Sequence, residues 1–156
     1  MKKEEELMKI PGRWNIKYEY AAGRTATRFF REIRDNKRIM GIRCPSCGRV
    51  MVPPRDFCER CYVTASEWVE CKPEGVLESF TIVAEQFEGL PEPPYVIAYV
   101  KLDGSDTAMV NFLEGVDLSN IQEAAKKLNL GSRVKVIFKD ERRGGINDFV
   151  YKLEGE

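Results

Sequence analysis

The chain has 156 residues, 43% hydrophobic and 32% charged, with 25 basic and 25 acidic side chains. That composition excludes a disordered polymer and allows one ordinary domain or two small ones. It contains no histidine, which excludes Ser-His and Cys-His nucleophile pairs and any imidazole metal ligand; an enzyme here would have to use carboxylates, lysine or a thiol.

No apolar run reaches the roughly 18 residues of a membrane span, and the opening MKKEEELMKI lacks an apolar signal-peptide core. The chain therefore reads as soluble and cytoplasmic, with no membrane partner. In a reducing compartment, paired cysteines point to metal rather than disulfides. Charge is unevenly spread. Arg24 to Arg60 carries ten Lys/Arg against four Asp/Glu, a balance of +6, and the remainder carries −6. Four thiolates and one divalent metal would leave the first segment near +4. A basic patch beside an acidic body suits an anionic partner, or long basic side chains that simply solvate one face.

WNIKYEY (14–20) alternates Trp14, Ile16, Tyr18 and Tyr20 against polar residues. Period-2 alternation with aromatics predicts an extended strand, docked either on its own body or on a partner chain. TATRFFREIRDNKRIMG (25–41) predicts one helix, with Phe29, Phe30, Ile33 and Met40 on one face. Arg28, Arg31, Arg34 and Arg38 gather on the other side. Thr25 or Thr27 is the candidate cap and Gly41 the stop.

CPSCGRVMVPPRDFCERC (44–61) follows, with two Cys-x-x-Cys pairs ten residues apart. Each pair aims two thiolates at one ion from a tight turn, and two pairs make a closed tetrahedral site. Pro45 and Gly48 suit the first turn, and the ten-residue link suits a short hairpin between the two. With Cys44, Cys47, Cys58 and Cys61 all bound, no seat remains for water or substrate, so the metal is structural. Zinc fits this donor set, and so does iron in a rubredoxin-like electron-transfer centre. PPR (53–55) presents Arg55 beside the cluster, or merely shapes the turn. Cys71, without a histidine to activate it, reads as a buried spectator.

EWVEC (67–71) predicts a short strand. Strand signals then cover 75–87, 95–102 and 107–113. A helix spans 119–130, with Ser119 and Gln122 at capping-box spacing and Gly131 as its C′ residue. Strands at 133–141 and 146–153 are joined across RRGG, a hairpin signal. Three strands, a helix and two strands give the order of a five-stranded OB-fold barrel. A meander plus a hairpin packed on a helix would give the same string.

The joint pattern of RCPSCGRVMVPPR, a second cysteine pair, SEWVE, GVLESFT and PYVIAYVKLD, over roughly residues 25–153, resembles a zinc-ribbon/OB-fold family. That family, formerly a domain of unknown function, is associated with acyl-CoA enzymes of the thiolase superfamily. The resemblance implies a mostly β fold: an N-terminal extension (1–23), a helix plus rubredoxin-like zinc ribbon (24–72), and an OB-fold with one short helix (73–156). It implies a structural Zn2+ on the four cysteines. It also implies a non-catalytic accessory subunit, which bridges a thiolase, a hydroxymethylglutaryl-CoA synthase or a related aldolase and helps to hold or pass acyl-CoA. The family's helix carries an aromatic pair near its start, matched by Phe29 and Phe30.

Arginine suits the phosphates of coenzyme A, making Arg28, Arg31, Arg34, Arg38 and Arg55 candidate ligand residues. Trp14, Tyr18, Tyr20, Phe29 and Phe30 are candidate partner contacts. The extension containing WNIKYEY is longer than the family pattern and suggests further partner contact. The competing readings are a nucleic-acid-binding module and an iron tetrathiolate electron-transfer protein. Against nucleic acid, strands 75–87 and 95–113 carry only Lys101 as a cation, whereas a single-strand groove is basic.

Overall fold

The structure is a computed structural model that describes residues 8–12, 14 and 16–154. No described helix is long and apolar enough to cross a membrane. The alternating segment 14–20 forms no strand among the described residues. An extended chain becomes a strand only by pairing, and its described side chains find no such support: Trp14 is 87% exposed and Tyr20 81%.

Helix α1 (Gly23–Arg31) is shorter than the expected 25–41. It passes into a π-helical turn, Glu32–Asn36, and stops at Lys37, which adopts a left-handed φ of 52°. Met40 and Gly41 belong instead to strand β1 (Ile39–Arg43). Strand pairing overrides the helical spacing here, because β1 pairs along its whole length with β5 (Glu67–Cys71). Gly41 is the middle of that strand, not a helix stop. A Cβ there would lie 2.8 Å from a Val50 methyl and 3.1 Å from the Met51 carbonyl.

Strand β2 (Val50–Met51) flanks β1 on its other edge, and β3 (Phe57–Cys58) pairs with β4 (Val63–Thr64). The link between the cysteine pairs therefore does not make one hairpin of its own. Each pair closes a separate hairpin, β1–β2 or β3–β4.

The remaining strands close into a barrel: β6 (Glu74–Val83), β7 (Tyr95–Leu102), β8 (Ala108–Glu114), β9 (Arg133–Phe138) and β10 (Phe149–Leu153). The order β10-β8-β7-β6-β9, with β9 returning to β6 and β10 parallel to β8, is that of an OB-fold. Closure rules out the open meander. Period-2 alternation sends Val96, Ala98, Val100 and Leu102 of β7 inward, onto Leu77, Val134, Phe149 and Tyr151.

Helix α2 (Ile121–Lys127) is capped by Asn120, whose side chain accepts from the N–H groups of Gln122 and Glu123, and not by Ser119. The helix ends at Leu128 in an extended conformation, so Gly131 (φ 89°) serves the turn into β9 rather than a C′ cap. The β9–β10 link is also no tight RRGG turn. It runs from residue 139 to 148, and the buried Asp148 carboxylate accepts from the N–H groups of Arg143, Gly144 and Gly145 at 2.6–3.1 Å. Burial raises the Asp148 pKa, but those three donors outweigh it and hold the carboxyl below its usual value.

Two contacts fix the ribbon to the barrel. The apolar cluster of the barrel continues into Phe29, Ile33, Ile39, Val50, Val52 and Cys71. The β7–β8 turn also mimics a strand: Asp106 and Thr107 side chains accept from the N–H groups of Val50 (2.8 Å) and Val52 (2.6 Å), and Asp106 N–H returns a bond to Val50 O.

Candidate metal centre and arginine face

The four cysteine sulfurs lie within 4.8 Å of one another, with Cys47 Sγ and Cys58 Sγ 3.9 Å apart. A tetrahedral zinc thiolate centre, with bonds of about 2.3 Å, has sulfurs about 3.8 Å apart. The donors therefore lie close to the spacing that a metal ion would impose. Cys44 and Cys58 are fully buried, Cys61 half-buried and Cys47 exposed.

Both knuckles share one geometry. Gly48 N–H donates to Cys44 O at 3.0 Å, and Tyr62 N–H donates to Cys58 O at 2.9 Å. Each donor is left-handed, Gly48 at φ 73° and Tyr62 at φ 56°. Glycine takes that conformation freely and tyrosine does not. Arg49 and Glu59 pair across the two knuckles. Four protein thiolates fill a tetrahedron, so the centre has no open position and is structural.

Cys71 lies apart from the cluster, 4% exposed in the core. Burial pushes its thiol up to about 11, so at neutral pH it is a protonated packing group and not a nucleophile.

The predicted arginines divide into two sets. Arg34 is bound to Asp35 at 2.7 Å, and Arg38 to Glu32 at 2.7 Å and Glu70 at 3.3 Å. Asn36 and Arg38 hold the Glu32 carboxyl below its usual value. Arg38 lies beyond the helix because the helix ends early. Arg55 is 52% exposed, 3.4 Å from Glu59.

Arg28 and Arg31, joined by Arg24, line a shallow groove of about 780 Å3 along α1. Arg55 is not part of it. None of the three groove arginines has a carboxylate partner among the described residues. Arg28 also stacks over Trp68, 4.4 Å from the ring centroid. Arg24 escaped the sequence reading because it sits just inside a helix start that had been placed two residues later.

The predicted aromatics divide in the same way. Phe29 is 2% exposed and Phe30 packs against the same core, so this pair anchors α1 to its own chain. Trp14, Tyr18 and Tyr20 remain exposed. Strands β7 and β8 carry one cation, Lys101, which is 3.2 Å from Glu78. Several of their outward side chains, including Ile97, Tyr99 and Val110, are apolar.

A four-thiolate ribbon joined to a closed five-stranded OB barrel defines a class, the zinc-ribbon/OB-fold proteins. Two family models match end to end: the ChsH2 rubredoxin-like zinc ribbon domain over residues 31–67 and the ChsH2 C-terminal OB-fold domain over residues 68–139. Together they span more than two thirds of the chain, which carries both of these ChsH2-type domains. A DUF35 domain-containing scaffold protein of Methanocaldococcus jannaschii is 25% identical over 136 residues, covering 81% of this chain and 88% of that protein. A DUF35-family protein of unknown function from Sulfolobus solfataricus has a crystal structure similar at TM-score 0.62 and 25% identity, over 85% of this chain and 87% of that one. A chain of the Ltp2-ChsH2(DUF35) aldolase is similar in fold, with TM-score 0.60 and 22% identity, over 86% of this chain and 97% of that one.

Proposed function

We propose that this chain is a non-catalytic accessory subunit that assembles with a thiolase-superfamily enzyme and helps it hold acyl-CoA. The observation that carries the reading is the exposed aromatic arm. Trp14, Ile16, Tyr18 and Tyr20 are 64–87% exposed, a density of large apolar side chains that favours a binding partner over water. The scaffold relative, the ChsH2 family models and the likeness to a chain of an aldolase complex support an assembly role. The resemblance to companions of thiolase-superfamily enzymes supplies the partner class.

In this reading the metal is one structural Zn2+ on Cys44, Cys47, Cys58 and Cys61, which fixes the ribbon and supplies no chemistry to the substrate. Arg24, Arg28 and Arg31 offer three guanidiniums to the phosphates of coenzyme A. Glu32 and Asp35 also line this groove, but Arg34, Arg38 and Arg55 are held in ion pairs of 2.7–3.4 Å, so they contribute less.

Purification of the tagged chain from its native host tests the assembly. A thiolase-superfamily enzyme co-purifies at fixed stoichiometry, and removal of residues 8–20 releases it. A clean monomer that leaves the enzyme's activity unchanged would overturn the reading. Within the complex, Arg28→Glu together with Arg31→Glu raises the KM for acyl-CoA and leaves the metal content intact.

A further inference from the structure

A second concave feature lies away from the metal and the arginines. A cleft of about 440 Å3 opens at one mouth of the barrel, between the β6–β7 loop, the outer ends of β7 and β8, and the segment that follows β8. That volume lies within the range of small-ligand sites, and barrel mouths are frequent places for them. Val96, Leu113 and Val150 are buried in its floor, with Pro94, Val116 and Leu118 among its walls. Its charged groups, Glu114 and Lys139, are exposed.

Tyr95 also lines the cleft, and its hydroxyl is the one buried side-chain polar atom without a hydrogen-bond partner among the described residues. The contrast with Tyr151 is direct. That residue is fully buried and Tyr95 half-buried, yet it is the Tyr151 hydroxyl that finds a partner, donating to Met109 O at 3.2 Å. The Tyr95 ring stands edge-on to Phe112, with centroids 5.6 Å apart; its hydroxyl is closed to water, so a ligand must part the side chains of the cleft wall to reach it. An unpaired buried hydroxyl is costly to keep and calls for an explanation in its surroundings.

We propose that this cleft binds an uncharged apolar chain or ring that carries one carbonyl oxygen, which accepts a hydrogen bond from the Tyr95 hydroxyl. The apolar floor and walls provide affinity, and the single polar atom fixes orientation. An acyl group has this chemistry. That natural source rests on the acyl-CoA reading above, but binding of a carbonyl compound in the cleft does not.

The test uses the full metal-loaded chain and 2-heptanone, a neutral ketone that the arginine face does not attract. Saturable NMR shifts are expected at Val96, Val116 and Val150, and Val116→Trp, which fills the cleft, abolishes them. Tyr95→Phe keeps the ring and weakens binding roughly three- to tenfold, the effect of losing one hydrogen bond. The same substitution raises the melting temperature of the unliganded protein, because it removes an unpaired hydroxyl. Absence of saturable shifts overturns the site, and equal affinity in Tyr95→Phe overturns the donor. A cleft that binds ketone in a chain that recruits no enzyme would refute the accessory-subunit reading alone.

Discussion

The ribbon tip and the barrel are both built from β-strands, but different forces hold them. The barrel has a continuous apolar cluster that includes Leu77, Val100, Val134, Phe149 and Tyr151. Fully burying each large aliphatic side chain contributes about 1.5–3 kcal/mol. The tip has a smaller cluster, Ile42, Met51 and Ala65 buried beside Cys44 and Cys58 with Val63 and Trp68 partly buried against them, and three of its strands, β2, β3 and β4, are two residues long. A core that small cannot offset the entropy of ordering the loops around it, so a metal ion substitutes for it. Protein built on apolar burial tolerates gradual change, whereas a metal-stapled tip stands or falls with its ligands.

The sharpest way to break that contrast is Cys58→Ser, which removes a buried ligand. Structural zinc sites contribute on the order of 10 kcal/mol, so amides from 44 to 65 should lose hydrogen-exchange protection while β7 and β8 keep theirs. Loss of protection throughout would mean that the tip and barrel form one cooperative unit. Next in size is Phe149→Ala. It should cost about 3–5 kcal/mol, read from the denaturant midpoint, and leave one bound metal per chain under native conditions. The smallest effect concerns the two knuckles. Tyr62→Gly should stabilise the metal-loaded tip by up to about 1 kcal/mol, because Tyr62 occupies the conformation that glycine takes at Gly48. A destabilised tip would mean that the Tyr62 ring, edge-on to Phe57 with centroids 6.2 Å apart, contributes more than its backbone costs.

What the sequence disclosed depended on how local each signal is. Ligand spacing within 18 residues reveals the metal centre, and local strand signals reveal all five barrel strands within a few residues. The end of the expected helix belongs to β1 because RIMGIR is apolar at both spacings, and only pairing with β5 decides it. Asp106 reads as part of an ordinary turn and Thr107 as the start of a strand, since their partners lie more than 50 residues earlier. The arginine set had to be divided in space. Glu70, 32 residues away from Arg38, cannot be assigned to it by periodicity. The Tyr95 cleft is likewise assembled from four separate segments.

The central claim is that the metal holds shape and leaves the chemistry to the partner. It is tested most directly by reconstituting the enzyme complex with Zn2+, Cd2+ or Co2+ in the four-cysteine site and measuring turnover. Equal turnover with all three metals, and dissociation of the complex when a chelator removes them, is the predicted result. Turnover that follows the identity of the metal while the complex stays assembled would contradict the account.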